Sequence, residues 1–308
     1  MRTGQPAISV VVPSYKGSST LSRCVRSILD QTLKEPYEVV LVDSSPDGTV
    51  DLVATEFPEV RLIRVAQRAF PGAARNIGLS HATAEFIAFT DQDCVVEPEW
   101  LEKLLARLRE GSVAAVGGAI LNGTPASAVG TAGYLIEFNE FTTHRKPGLV
   151  SNLPHCNIGF RRETLLKHGS FPPVVPGAED LIYNWFLRFR QQDLLFDPEI
   201  QVTHLNRTRL KEFLFHQHLL GRGSGVARRR TALPGQAFAR WPILTPALPA
   251  IRIGRTAFRL MRRDPRSFVQ YLALMPICLP GYLMWTVGFF RGARDGRIVL
   301  DPARAGIA

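Results

Sequence analysis

Phe86-Ile87-Ala88-Phe89-Thr90-Asp91-Gln92-Asp93-Cys94 is the stretch on which the reading of this chain turns. An unbroken apolar and β-branched run marks a strand covered on both faces, as in a parallel sheet sandwiched by helices. It ends abruptly in two carboxylates one residue apart. In open α/β sheets ligands collect at the carboxyl ends of strands, and a closely spaced acidic pair there is able to hold a hard divalent cation, Mn²⁺ or Mg²⁺, against phosphates. The competing reading is an ordinary acidic turn.

The same pattern repeats upstream. Ile8 to Val12 is a buried strand running into Pro13-Ser14-Tyr15, and Val39 to Val42 runs into Asp43-Ser44-Ser45-Pro46-Asp47-Gly48-Thr49. Helical periodicity lies between and beyond them: Thr20 to Gln31, Thr49 to Glu56, Pro71 to Ser80 and residues 98 to 110. Arg61 to Val65 is a further strand, Val113 to Ile120 is apolar and Gly-interrupted, Glu179 to Arg190 is a helix and Gln201 to His204 a short strand. Alternating β and α elements predict an open, mostly parallel α/β sheet. Residues 122 to 155 carry few periodic apolar positions and read as a long connection over the active face.

Charge divides the chain in two. The 308 residues have a net charge of +10, yet residues 1 to 206 hold 19 basic against 23 acidic side chains, and the remainder 18 against 4. The boundary predicts a catalytic domain over 1–206 and a basic, apolar region over 207–308. Basic residues interleaved with apolar runs suit an anionic membrane surface, and no nucleic-acid partner is expected. Arg252, Arg255, Arg259, Arg262 and Arg263 recur at helical spacing beside Ile253, Phe258, Leu260 and Met261, the pattern of an interfacial helix. Ser267 to Phe290 carries no charge and is long enough to cross a bilayer, but Pro276, Pro280 and Gly281 leave a kinked or re-entrant helix equally open. The four cysteines are scattered without metal-binding or disulfide spacing, and Ile8 to Val12 is too short for a signal peptide. The expected location is the cytoplasmic face of a membrane.

Other polar positions are read two ways. Asp43 is placed either to accept hydrogen bonds from a nucleoside or to close a turn and cap a helix. In Pro71-Gly72-Ala73-Ala74-Arg75-Asn76-Ile77-Gly78, Arg75 is either a fork for a diphosphate or a surface residue on an Ala-rich helix. In Gly177-Ala178-Glu179-Asp180 the acids either favour the helix dipole or include a general base.

Taken in order, these motifs resemble the family 2 glycosyltransferases of GT-A fold, from about Ile8 to His204. The resemblance implies transfer of a sugar from a nucleoside diphosphate sugar to a hydroxyl of a lipid-linked or cell-envelope glycan acceptor, with inversion. It also implies roles. Pro13, Tyr15 and Asp43 would meet the nucleotide, Arg75 would sit near the donor, and Asp91 and Asp93 would form the diphosphate and metal motif. Asn157 would line the sugar and acceptor pocket, His204 would approach the metal, and Asp180 would be the catalytic base. Where relatives carry an acidic pair after the second strand, this chain has Asp43-Ser44, and it lacks the Gln-x-x-Arg-Trp motif of processive synthases, favouring single addition. Leu279 to Trp285 and Gly288 to Gly292 look like tails of membrane-associated bacterial members. Two rival readings stand beside it: a nucleotidyltransferase, which calls for a Gly-rich basic loop where Pro13-Ser14-Tyr15-Lys16-Gly17 stands, and a catalytically silent membrane-bound glycan-binding or scaffold protein.

Overall fold

Every residue of Ile8–Ser14 is buried, as a strand with neighbours on both edges and helices on both faces must be. The computed structural model describes residues 4–111, 113–169, 171–172 and 177–295. In chain order its first elements are β1 (Ile8–Ser14), α1 (Leu21–Leu29), β2 (Tyr37–Asp43), α2 (Thr49–Glu56), β3 (Arg61–Arg64), α3 (Pro71–His81), β4 (Phe86–Thr90) and β5 (Cys94–Val96). Next come α4 (Trp100–Arg109), β6 (Ala115–Asn122), α5 (Ala128–Glu137), β7 (Gly148–Val150), β8 (Asn157–Arg161), α6 (Arg162–His168), α7 (Glu179–Phe189) and β9 (Leu194–His204).

The sheet runs β3-β2-β1-β4-β8-β6-β9-β5, with β7 on β9. Its first four strands are parallel, so Ser14, Asp43 and Asp91 emerge on one edge. Strand β8 then pairs antiparallel with both β4 and β6, and β5 returns antiparallel along β9. That last pairing sets Cys94 opposite His204, which brings the end of β9 beside Asp93.

The segment 122–155 is not one connection. It contains α5, capped by the Ser127 hydroxyl accepting from Gly130 N at 3.1 Å, and the short strand β7. Periodicity missed α5 because its packing face holds Gly130, Ala132 and Gly133 among its larger residues. The last sheet strand is also longer than predicted, since Pro198 sits at an irregularity where the register against Gly118 and Ala119 shifts.

Beyond β9 the chain is helical: α8 (Leu210–Arg230), α9 (Gln236–Arg240), a 3₁₀ turn at Pro242–Ala247, α10 (Leu248–Arg263), α11 (Pro265–Ala273) and α12 (Met275–Asp295). Gly221 and Gly225 of α8 lie against the backbone of α12 at Trp285 and Phe289, and Gly288 and Gly292 of α12 lie against that of α8 at His218 and Arg222. A Cβ on Gly221 would run into the Trp285 carbonyl, and one on Gly292 into that of Arg222. Glycine therefore lets the two backbones touch. Phe213, Tyr271, Cys278 and Tyr282 pack on Ala132, Leu135 and Ile136 of α5, fixing these helices to the sheet domain. Helices α11 and α12 meet at 82°, so the apolar run is bent, and among the described residues no single helix is long and apolar enough to cross a membrane.

Candidate active site

The loop after β1 is shaped by Gln92, which lies between the two acids. Its side-chain oxygen accepts from Tyr15 N at 2.9 Å and its amide donates to Tyr15 O at 3.0 Å. Gly17 leaves room beneath it, since a Cβ there would push the Gln92 amide away from Tyr15. Lys16 takes a left-handed φ of 54° and donates its N–H to Ser45 Oγ at 2.7 Å. The exposed Arg68 guanidinium lies 4.2 Å above the Tyr15 ring, which leaves an aromatic and cationic wall at the parallel edge. Pro13 is buried in β1 opposite Val42.

Asp43 is almost fully buried, accepting from Ser45 N at 2.8 Å and Ser45 Oγ at 2.9 Å. Both oxygens thus close the turn, each with acceptor capacity remaining. The N-cap of α2 is Gly48, and the residue before it, Asp47, accepts from Thr49 N at 3.2 Å in the turn that starts the helix.

Arg75 is neither a surface residue nor an open fork. Its side chain is 2% exposed, and it donates to Asp91 Oδ1 at 2.7 Å and Glu179 Oε1 at 3.1 Å. The small residues of α3 permit this depth: Gly72 abuts Glu179, and Gly78 lies against Val11. Arg75 thereby ties the acidic end of β4 to the first turn of α7. Sequence reasoning missed Glu179 as its partner, because a helix-start acid has an adequate local explanation in the dipole.

Asp180 follows. One oxygen accepts from Leu181 N at 2.6 Å. Burial, reinforced by the Glu179 charge and opposed by Arg75, pushes the Asp180 carboxyl up to about 7. A group titrating there can take a proton near neutral pH.

At the opposite side, His204 Nε2 lies 3.6 Å from Asp93 Oδ1. His204 Nδ1 is 2.9 Å from Asn206 Oδ1, whose own amide donates to Asn122 Oδ1 and Thr124 Oγ1. With Nδ1 oriented by Asn206, Nε2 is left facing the Asp93 carboxylate, a pair able to share a cation. Asp93, Cys94 and His204 cluster within ligand range of one another. Cys94 is an unsuitable third donor: burial, Cys156 and the nearby aspartates keep its thiol protonated, and hard cations prefer oxygen. Four carboxylates, Asp91, Asp93, Glu179 and Asp180, share this edge with one buried guanidinium. The donor set fits a divalent metal.

Asn157 is placed elsewhere. It is fully buried, accepts from Trp100 Nε1 at 2.9 Å, and donates to Ala119 O at 2.9 Å and Ile200 O at 3.0 Å. Both donors are used inside the core, so Asn157 braces β8 rather than presenting its amide to a sugar. Phe138, at the end of α5, packs on the His204 ring with centroids 4.8 Å apart, a contact nothing in the sequence pattern marks.

The chain is 25% identical over 291 residues to the pre-mycofactocin glycosyltransferase of Mycobacterium tuberculosis, covering 87% of this chain and 60% of that protein. It thus spans about three fifths of that relative's length. It is 27% identical over 231 residues to the glycosyltransferase AglE of Haloferax volcanii, covering 72% of this chain and 74% of AglE. Its fold matches the mannosyltransferase PcManGT of Pyrobaculum calidifontis, solved with GDP-Man and Mn²⁺, with a TM-score of 0.57 at 21% identity, over 95% of this chain and 87% of that one. The fold is therefore GT-A. The model of the glycosyl transferase family 2 matches residues 9–169, more than half the chain, and the protein belongs to that family.

Proposed function

We propose that this chain transfers a sugar from a nucleoside diphosphate sugar to a hydroxyl of a lipid-linked or cell-envelope acceptor, in a metal-dependent reaction with inversion. The observation that carries the reading is the Asp93–His204 pair facing, across the Arg75 bridge, a carboxyl tuned to neutral pH. Asp93 and His204 would hold the cation, with Asp91 aligned by Arg75; when bound, the metal offsets charge on the leaving diphosphate. Asp180 accepts the acceptor's proton as its oxygen bonds to the anomeric carbon, and the bond to the diphosphate breaks with both electrons leaving on that group. Tyr15 and Asp43 stand at the nucleoside side. The relatives' names, a pre-mycofactocin glycosyltransferase and a mannosyltransferase with GDP-Man and Mn²⁺, support this class of reaction.

The membrane reading rests on the C-terminal helices. Trp241, Ile243, Phe258, Met261, Val269 and Leu272 are exposed there, beside a region rich in arginine. Such an apolar and basic surface suits the interface of an anionic bilayer, with catalysis on its cytoplasmic face. Metal-dependent release of nucleoside diphosphate from UDP-, GDP- or dTDP-sugars tests the enzymatic reading. Release with no donor in any metal would sink it.

A further inference from the structure

Arg252 of α10 lies over Trp285 of α12, its guanidinium carbon 3.9 Å from the ring centroid, with Tyr282 at 5.5 Å. Its Nε is buried without a hydrogen-bond partner, and no carboxylate pairs with it among the described residues. Burial, against the favourable pull of Tyr282, and then repulsion from Arg255 and Arg228 draw this guanidinium down to about 10. Arg228 of α8 also lacks a carboxylate partner among the described residues, giving N–H groups to the Ser224 hydroxyl and to the neutral carbonyls of Ser224 and Pro234.

The nearby acids are committed elsewhere. Glu140 pairs with Arg255 at 3.1 Å and with Arg259, while Glu137 accepts from Gln217 at 2.6 Å and faces His216 at 3.3 Å. Arg255 and Arg259 thus share one carboxylate, while Arg252 and Arg228, near enough to Arg255 to be repelled by it, have no paired carboxylate among the described residues. Stacking on Trp285 is worth about 0.5–2 kcal/mol, less than a buried and unpaired charge costs. A stacked guanidinium also keeps its N–H edge free for a planar or tetrahedral oxyanion.

The cluster adjoins the catalytic edge. Phe138 packs on His204, the next residue Asn139 accepts from Arg259 at 3.2 Å, and Glu140 follows. Three consecutive residues thus join the candidate metal pair to the arginines.

We propose that Arg252 and Arg228, with Arg255 beside them, form a binding site for a phosphate or diphosphate ester carried at the lipid end of the acceptor. This rests on the glycosyltransferase reading for the word acceptor, but the site's chemistry does not. A bilayer headgroup offers the same chemistry from another source, so the test must separate the two.

The full-length protein is titrated in EDTA, which disables a metal-held donor site, with farnesyl diphosphate, inorganic diphosphate, and vesicles with or without phosphatidylglycerol. Farnesyl diphosphate is expected to raise the melting temperature of the wild type. R252Q should weaken it by about 10-fold or more, the range for a charge-assisted hydrogen bond, and leave binding to anionic vesicles largely in place, because Arg252 is turned onto Trp285 while the exposed apolar side chains and the remaining arginines of α10 are kept. E140Q should tighten it, because Arg255 and Arg259 lose their competing anion, which a merely structural role would not produce. Should R252Q fail to fold, R252K and E140Q carry the test, R252K being several-fold weaker than wild type. No thermal shift at millimolar farnesyl diphosphate, or equal affinity in wild type, R252K and E140Q, overturns the proposal. So does an R252Q variant that loses vesicle binding while keeping farnesyl diphosphate, which assigns the arginines to headgroups. No turnover is read, so an inactive donor site fails separately from this one.

Discussion

Arg75 donates to Glu179 at 3.1 Å across the gap between α3 and α7, inside a pocket where its own Nε finds no partner. The bond ties the helix carrying Asp180 to the turn after β4 that carries Asp91, which the same guanidinium holds at 2.7 Å. Removing one member of such a buried set leaves uncompensated charge. Arg75→Ala is expected to destabilise the fold by about 3–5 kcal/mol, measured as a shift in urea unfolding. Arg75→Lys keeps the charge but cannot fork to two carboxylates, and should recover only part of that loss.

Asp180 makes a pH prediction. Its folded pKa, near 7, lies above the free value of 3.8, so the fold favours the protonated form. The stability this confers is fully present below the unfolded pKa and lost as pH rises through about 7. Asp180→Asn should therefore gain stability over wild type between pH 5 and pH 8. Transfer should fall by about 10²-fold or more with donor affinity kept. In the wild type, kcat/KM should rise through an acid limb near pH 7. Glu179→Gln removes a like charge and should move that limb to lower pH. A limb that does not move gives the base to another group.

Much of this arrangement is legible in the sequence, and the exceptions share a cause. Asp43, Asp91 and Asp93 follow long apolar runs, so their place at the sheet edge is a consequence of strand periodicity. Asn157 heads a five-residue strand, and nothing local distinguishes an amide that braces Trp100 and two carbonyls from one that meets a sugar. Helix α8 is not legible by periodicity because Gly221, Gly223, Ser224 and Gly225 look like a break. In the fold they are buried, and Gly221 and Gly225 face α12. Arg75 is the converse case: its residue type suggested phosphate, and its depth, set by contacts about 100 residues away, made it an internal brace.

The metal pair can be tested through its support. Asn206 holds His204 Nδ1 at 2.9 Å and so fixes the ring. Asn206→Ala should lower Mn²⁺ affinity by about 10–100-fold, the usual cost of losing the partner that orients a ligating histidine. Asp93→Asn should abolish metal-dependent nucleoside diphosphate binding in calorimetry. Full donor binding and turnover in EDTA would remove the metal from the site.

The membrane surface can be tested without cutting the chain, which would strip α12 from Phe213 and Ile136. Ile243, Phe258 and Val269 are 85%, 55% and 66% exposed. Burying such side chains is worth about 1.5–3 kcal/mol each. Changing all three to Glu should abolish co-sedimentation with anionic vesicles and leave thermal unfolding nearly unchanged. In 0.5 M salt the wild type should bind more weakly but still bind, because screening removes the arginine contribution and not the apolar one. Retained sedimentation of the triple variant places the contact elsewhere.

The glycine contact between α8 and α12 decides whether the C-terminal helices hold together at all. Helices with ordinary side chains pack with axes 8–10 Å apart, whereas here glycine meets backbone directly on both partners. A methyl at Gly221 has no flexible neighbour to displace, only the Trp285 carbonyl, so the helices must separate along their length. Gly221→Ala should cost about 1–3 kcal/mol, the range for overpacking a rigid interior. Gly254→Ala is the control, because nothing lies within reach of a Cβ there and a helical Ala is favoured over Gly. Separation should also slacken Phe213 and Tyr282 against α5 and Trp285 beneath Arg252, so proteolysis should clip Gly221→Ala after α9 before it reaches the sheet. If Gly221→Ala melts with Gly254→Ala and resists protease equally, the helices are not held by backbone contact, and the placement of Arg252 over Trp285 loses its foundation.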